Sequence, residues 1–136
     1  MEKEIKQTWH FNHSPQEVWE YLTKPELLEQ WLGKTNFQPV VGHKFRFASP
    51  YGNDSFCEVL EVKPYTLLSF TWQKKSLKDQ QPFNSRITWT LVPTESGTDL
   101  HLLHNGFVAM DDFSGHENGW KACVKKFEEL INTIKK

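Results

Sequence analysis

At 136 residues and a formal charge of -1 the chain is one domain's worth of sequence, able to bury roughly two thirds of its surface without a disulfide or metal staple. The near-neutral balance gives no electrostatic reason to expect nucleic acid or an anionic membrane, and no stretch approaches the ~18 apolar residues of a membrane span. The charged start Met1-Glu2-Lys3-Glu4 shows no signal peptide, so a single soluble, cytoplasmic domain spanning 1–136 is expected, with Cys57 and Cys123 as reduced, buried thiols.

The first element is KEIKQTWHF, a strand with Ile5, Trp9 and Phe11 on one face and Gln7 interrupting it. SPQE follows, where Ser14, Pro15 and Glu17 make a capped helix start, and Val18, Trp19 and Leu22 then share a face. TKPE repeats the signal. Thr23 and Glu26 predict a second box and a short helix carrying Leu27, Leu28, Trp31 and Leu32 to about Gly33.

Strands come next. HKFRFA places Phe45 and Phe47 together, and SPYGND reads as a turn. In SFCEVLEV the expected apolar face is Phe56, Leu60 and Val62, with Glu58 among them and Cys57 and Val59 opposite. LLSFTW offers Leu68, Phe70 and Trp72; after the polar loop QKKSLKDQQP, NSRITWTLV offers Ile87, Trp89 and Leu91. LHLLHNGF is the last strand. A helix is predicted from about Ser114 to Ile134, with Lys135 and Lys136 closing it. Its apolar stripe is Trp120, Cys123, Val124, Phe127, Leu130 and Ile131.

Strands joined by tight turns must be antiparallel neighbours, and one long helix is available to cover their apolar face. The expected architecture is therefore α+β: a curved antiparallel sheet of about six to seven strands gripping the C-terminal helix, with two short helices after the first strand. Aromatic residues make up 14% of the chain, with six Trp and ten Phe. Such a core is either tightly filled or wraps a cavity.

A search for catalytic or metal chemistry finds no motif. There is no His-Glu-x-x-His, no paired-cysteine motif and no Gly-x-Ser-x-Gly. His101 and His104 are three apart in a strand and face opposite ways. His10 and His13 are expected in solvent, and Asp111 and Asp112 to precede the last helix. No catalytic residue, metal or cofactor is expected. Gln7, Glu58 and His104 interrupt apolar faces. Either they pair with each other, with water or at a bulge, or they orient a mostly apolar ligand.

Taken in order, these segments resemble the START-like helix-grip (SRPBCC) superfamily, in the branch similar to the C-terminal domain of the Hsp90 ATPase activator. SPQEVWEYLTKPELLEQWL is similar to that branch's helix pair, through Val18-Trp19, Thr23, Pro25 and Trp31. VVGHKFRF resembles its Val-Gly-Gly-x-Phe turn, with His43 in place of the second glycine. VLEVKPYTLLSFTW, GTDLHLLHNGF and Gly119-Trp120 complete the likeness, which runs from about Ile5 to Ile131. The resemblance implies a helix-grip (START/Bet v 1-like) fold with a hydrophobic cavity between long helix and sheet. The expected function is non-enzymatic binding of an apolar or aromatic small molecule, lipid-like or polyketide-like. The helix would contribute Trp120, Val124 and Phe127. The sheet would contribute Trp9, Phe45, Phe47, Phe70, Trp72, Trp89 and Leu102, with Glu58 and His104 as polar anchors. The alternative implied by the resemblance is a protein-interaction module acting on a chaperone in the stress response. The activator's separate anchoring domain has no counterpart in 136 residues, so weak chaperone stimulation is expected.

Overall fold

Ser14 sets the first helix, and the way it does so shows how local chemistry seeds this fold. Its hydroxyl accepts from the Glu17 amide at 3.2 Å while the Glu17 carboxylate takes the Ser14 amide at 3.3 Å. This reciprocal box, with Pro15 at the first helical position, starts α1 (Pro15–Thr23). The predicted second box does not form. Thr23 is still inside the last turn of α1, so its hydroxyl donates back to the Trp19 carbonyl. Lys24 takes the N-cap position of α2 (Pro25–Trp31) and has no side-chain cap bond.

The computed structural model describes residues 3–48, 54–76 and 78–134. Strand β1 (Lys3–Phe11) precedes the two helices; β2 (Lys44–Phe47), β3 (Ser55–Lys63), β4 (Leu67–Lys75), β5 (Pro82–Thr94) and β6 (Gly97–Phe107) follow, and α3 (Met110–Ile134) ends the fold. The six strands form one sheet in the order β1-β6-β5-β4-β3-β2, every pairing antiparallel. Thus β2 to β6 is a meander, and the α1–α2 pair carries the chain from one sheet edge to the other. The tight β5–β6 turn needs Gly97, at φ 154°, because a side chain there would overlap the Phe11 carbonyl oxygen. Most of the expected SPYGND turn, and the lysines at the end of the last helix, lie outside the described residues.

The sheet curves around α3. Trp120, Val124, Phe127 and Ile131 are all buried. The Phe127 ring lies 4.7 Å from Phe11, 5.3 Å from Tyr21 and 4.8 Å from Trp31, so sheet and both short helices meet on one residue. Among the described residues, no helix is long and apolar enough to cross a membrane.

Three expectations need correction. Helix α3 begins at Met110 rather than near Ser114, which puts Asp111 and Asp112 in its first turn, where acidic groups favour the helix dipole. His13 is buried, 7% exposed, with Nε2 2.8 Å from Asn132 Oδ1. In β3 the faces from Ser55 to Leu60 are the reverse of those expected, while Val62, beyond the bulge, packs against the core as expected. Cys57 and Val59 are buried, whereas Phe56 is 53% and Leu60 37% exposed. Glu58 shares their outward face and is no pocket residue. The reason is cross-strand: Cys57 is opposite Phe45 and Val59 opposite Phe70, both inward. A register shift between Val59 and Glu61 then breaks the alternation.

Candidate functional site

The helical face at positions 112, 115, 116, 119, 120 and 123 borders a cleft between the first half of α3 and the far end of β4. Three of those positions are small: Gly115, Gly119 and Cys123. A side chain built at Gly119 would meet no atom within 4 Å. The sheet side is Trp72, Lys74 and Lys75, and Leu32, just beyond α2, closes the floor. The cleft holds about 270 Å³. That is near the small end of ligand sites, which span ~300–1,000 Å³.

Two tryptophans make its apolar walls, and a hydrogen-bond network fixes both. Ser85 Oγ donates to the Trp72 carbonyl at 2.9 Å. Its proton is thereby committed, so His104 Nε2 must carry the proton in the 2.8 Å contact to Ser85. Nδ1 of His104 is then free to accept from the Trp120 indole N–H at 2.9 Å. The second half mirrors the first. The Trp72 indole N–H donates to His116 Nε2 at 3.1 Å, and His116 Nδ1–H donates to the Asp112 carbonyl at 2.8 Å. Both imidazoles must be neutral to accept. Burial, the largest cause, pushes the pKa of His104 well down from its ordinary value, with His116 adding to the effect. Burial likewise lowers His116, partly opposed by its bond to the Asp112 backbone. The indole donors are occupied behind the walls, so the cleft is presented with ring surface.

The sequence-predicted site residues divide into groups. Trp72 and Trp120 line the cleft. His104, wholly buried, lies behind them and anchors Trp120. Trp89 backs Trp120 edge-on at 5.5 Å, with Leu102 as its β6 neighbour and Trp9 at 6.5 Å on the other side. Phe45, Phe47 and Phe70 form a separate cluster with Phe37, joined to the cleft through the Phe47–Trp72 contact at 5.7 Å. Val124 and Phe127 are core, both fully buried, with Phe127 packed against the rings of Phe11, Tyr21 and Trp31. Space between helix and sheet is thus filled at Phe127 and open at Gly119. Gln7, which interrupts the apolar face of β1, donates to the Glu117 carbonyl at 3.2 Å and ties β1 to α3.

Sequence reasoning missed His116, Lys74, Gly115 and Gly119. The signal was two glycines four apart immediately around the Trp120 turn, a spacing that clears one helical face.

A family model described as activator of Hsp90 ATPase homolog 1-like protein matches residues 12–132. Protein MLL2253 from Mesorhizobium loti is 34% identical, with a TM-score of 0.91 over 96% of this chain and 98% of that one. Protein BH1534 from Bacillus halodurans is 25% identical, with a TM-score of 0.79 over 95% of this chain and 96% of its own. DynU16, from the dynemicin biosynthetic locus, shares the fold at 21% identity and a TM-score of 0.85; the match covers 96% of this chain and 47% of DynU16. No curated protein matches by sequence.

Proposed function

The chain belongs to the activator of Hsp90 ATPase homolog 1-like family, and from that premise we propose that it is a cytoplasmic binding protein for a small apolar or aromatic molecule, held in the cleft between α3 and β4. One observation carries the reading. Trp72 and Trp120 are held rigidly by His116 and His104, and their rings face a space that Gly115, Gly119 and Cys123 leave clear. Preformed apolar walls with few polar groups are the usual make-up of a small-molecule site. Binding is favoured over catalysis because both ring nitrogens of each histidine are already bonded within the protein. Two free thiols, Cys57 and Cys123, support a reducing compartment.

A ligand burying ~300 Å² of apolar surface gains about 7 kcal/mol gross at ~25 cal/mol per Å². Ordering and association costs then place the affinity in the micromolar range. The test is a screen of mono- and bicyclic aromatic compounds and short acyl chains by NMR, following the indole N–H signals of Trp72 and Trp120. Gly119→Phe should fill the cleft and remove binding while the fold persists. Equal binding by parent and Gly119→Phe would move the site elsewhere. The chaperone reading ranks second: the family's description alone supports it, and an ATPase assay with the host chaperone decides it.

A further inference from the structure

The polar end of the cleft specifies more than an apolar guest. Lys74 has the inward parity of Leu68, Phe70 and Trp72, and is half-buried where the sheet ends. The residue lines the cleft, and its ammonium donates at 3.3 Å to Ser55 Oγ, the hydroxyl of a buried β3 residue. Lys75 follows at the exposed rim. The other titratable groups of the lining do not compete for a ligand. Asp112 is 3% exposed and its carboxylate accepts from the Ser76 hydroxyl at 2.6 Å. His116 is neutral with both nitrogens bonded, and burial pushes the Cys123 thiol up, so it too stays neutral. The lining therefore offers a guest ring faces and, as its polar contact, ammonium protons that can only donate.

The geometry points to an aromatic or apolar acid as the ligand, its rings against the cleft face of the Trp72–Trp120 pair, which packs together at 5.6 Å, and its carboxylate on the Lys74 ammonium, with Lys75 supporting from the rim. This rests on the reading of the cleft as a ligand site and adds the chemical class. Charge-assisted hydrogen bonds are about twice as strong as neutral ones, more so where water is partly excluded. The protein as a whole does not favour anions, since its formal charge is -1. A preference for acids would thus be local. Burial, the largest cause, holds the Lys74 ammonium below its ordinary pKa, opposed by the nearby Asp54 carboxylate. A carboxylate beside it would favour the charged form further.

The probes are 2-naphthoate and its neutral isostere 2-naphthamide, titrated into the intact protein and followed by calorimetry and the two indole N–H signals. The acid should bind about tenfold or more tightly than the amide, the scale of one hydrogen bond to a charged group. Lys74→Met should bring the two within about twofold by weakening the acid alone, Lys74→Arg should keep the preference, and Lys75→Met should reduce it only in part. Equal affinities in the parent protein, with both indoles responding, would overturn the inference while leaving the cleft as a site. Loss of the preference in Lys75→Met but not in Lys74→Met would overturn it as well. If neither probe moves either indole, the ligand-site reading itself fails, and the inference with it. The acid-to-amide ratio in the parent needs no variant, so a misfolded Lys74→Met cannot shield the proposal.

Discussion

His104 and His116 are each held neutral by what they bond to, and that has a pH consequence. A protonated His116 would turn Nε2 into a donor facing the Trp72 N–H; a protonated His104 would do the same to Trp120. Folding lowers both pKa values, burial being the main cause. The unfolded chain, with imidazoles near 6.5, therefore binds more protons than the folded one below that pH. Stability is full above about pH 6.5 and falls as pH drops below it, by up to about 1.4 kcal/mol per pH unit for each histidine. Urea unfolding at stepped pH measures this. A flat profile from pH 7 to 5 would show that the two imidazoles are not buried in the folded state. Replacing His104 with Leu should flatten part of that acid limb. It should also cost about 1–3 kcal/mol at pH 7, because the Trp120 N–H loses its acceptor inside the core.

At the scale of elements, α3 has two halves with different roles. The second half is structural. Phe127 is 0% exposed and ringed by Phe11, Tyr21 and Trp31. Phe127→Ala should cost on the order of 3–5 kcal/mol in equilibrium unfolding; a loss under about 1 kcal/mol would mean that the helix is peripheral. The first half keeps glycines inside a helix, where each costs about 1 kcal/mol relative to alanine. Gly119→Ala should therefore stabilise the protein by about 0.5–1 kcal/mol, since the added methyl meets nothing. The same contrast explains what was legible. The stripe from Trp120 to Ile131 reads clearly because periodicity and burial agree. The start at Met110 does not, because Gly115 and Gly119 weaken the helical pattern before the stripe begins. In β3, both faces carry apolar residues, and only the pairing of Cys57 with Phe45 decides between them. The cleft was legible through Trp72, Trp120 and His104, all on apolar faces. His116 and Lys74 were not, because their place depends on how the end of β4 meets α3, a contact between segments far apart in sequence.

For the whole molecule, the open cleft lies along the first half of α3 and the filled core along the second. Occupying the first need not disturb the second. Binding to the folded state alone then adds to global stability by mass action. At a ligand concentration one hundred times its dissociation constant, the gain is about 2.7 kcal/mol. For a domain of this size, each kcal/mol corresponds to about 3–5 °C in Tm. Saturating 2-naphthoate, or a tighter hit from the screen, should thus raise the melting temperature by roughly 8–13 °C. In Gly119→Phe the same compound should produce no shift, although the variant melts near the parent. An equal rise in both proteins would mean that the compound binds outside the cleft. A rise in the parent that disappears when Phe127 is truncated, but survives in Gly119→Phe, would place the guest in the core instead and reverse the roles of the two halves of α3.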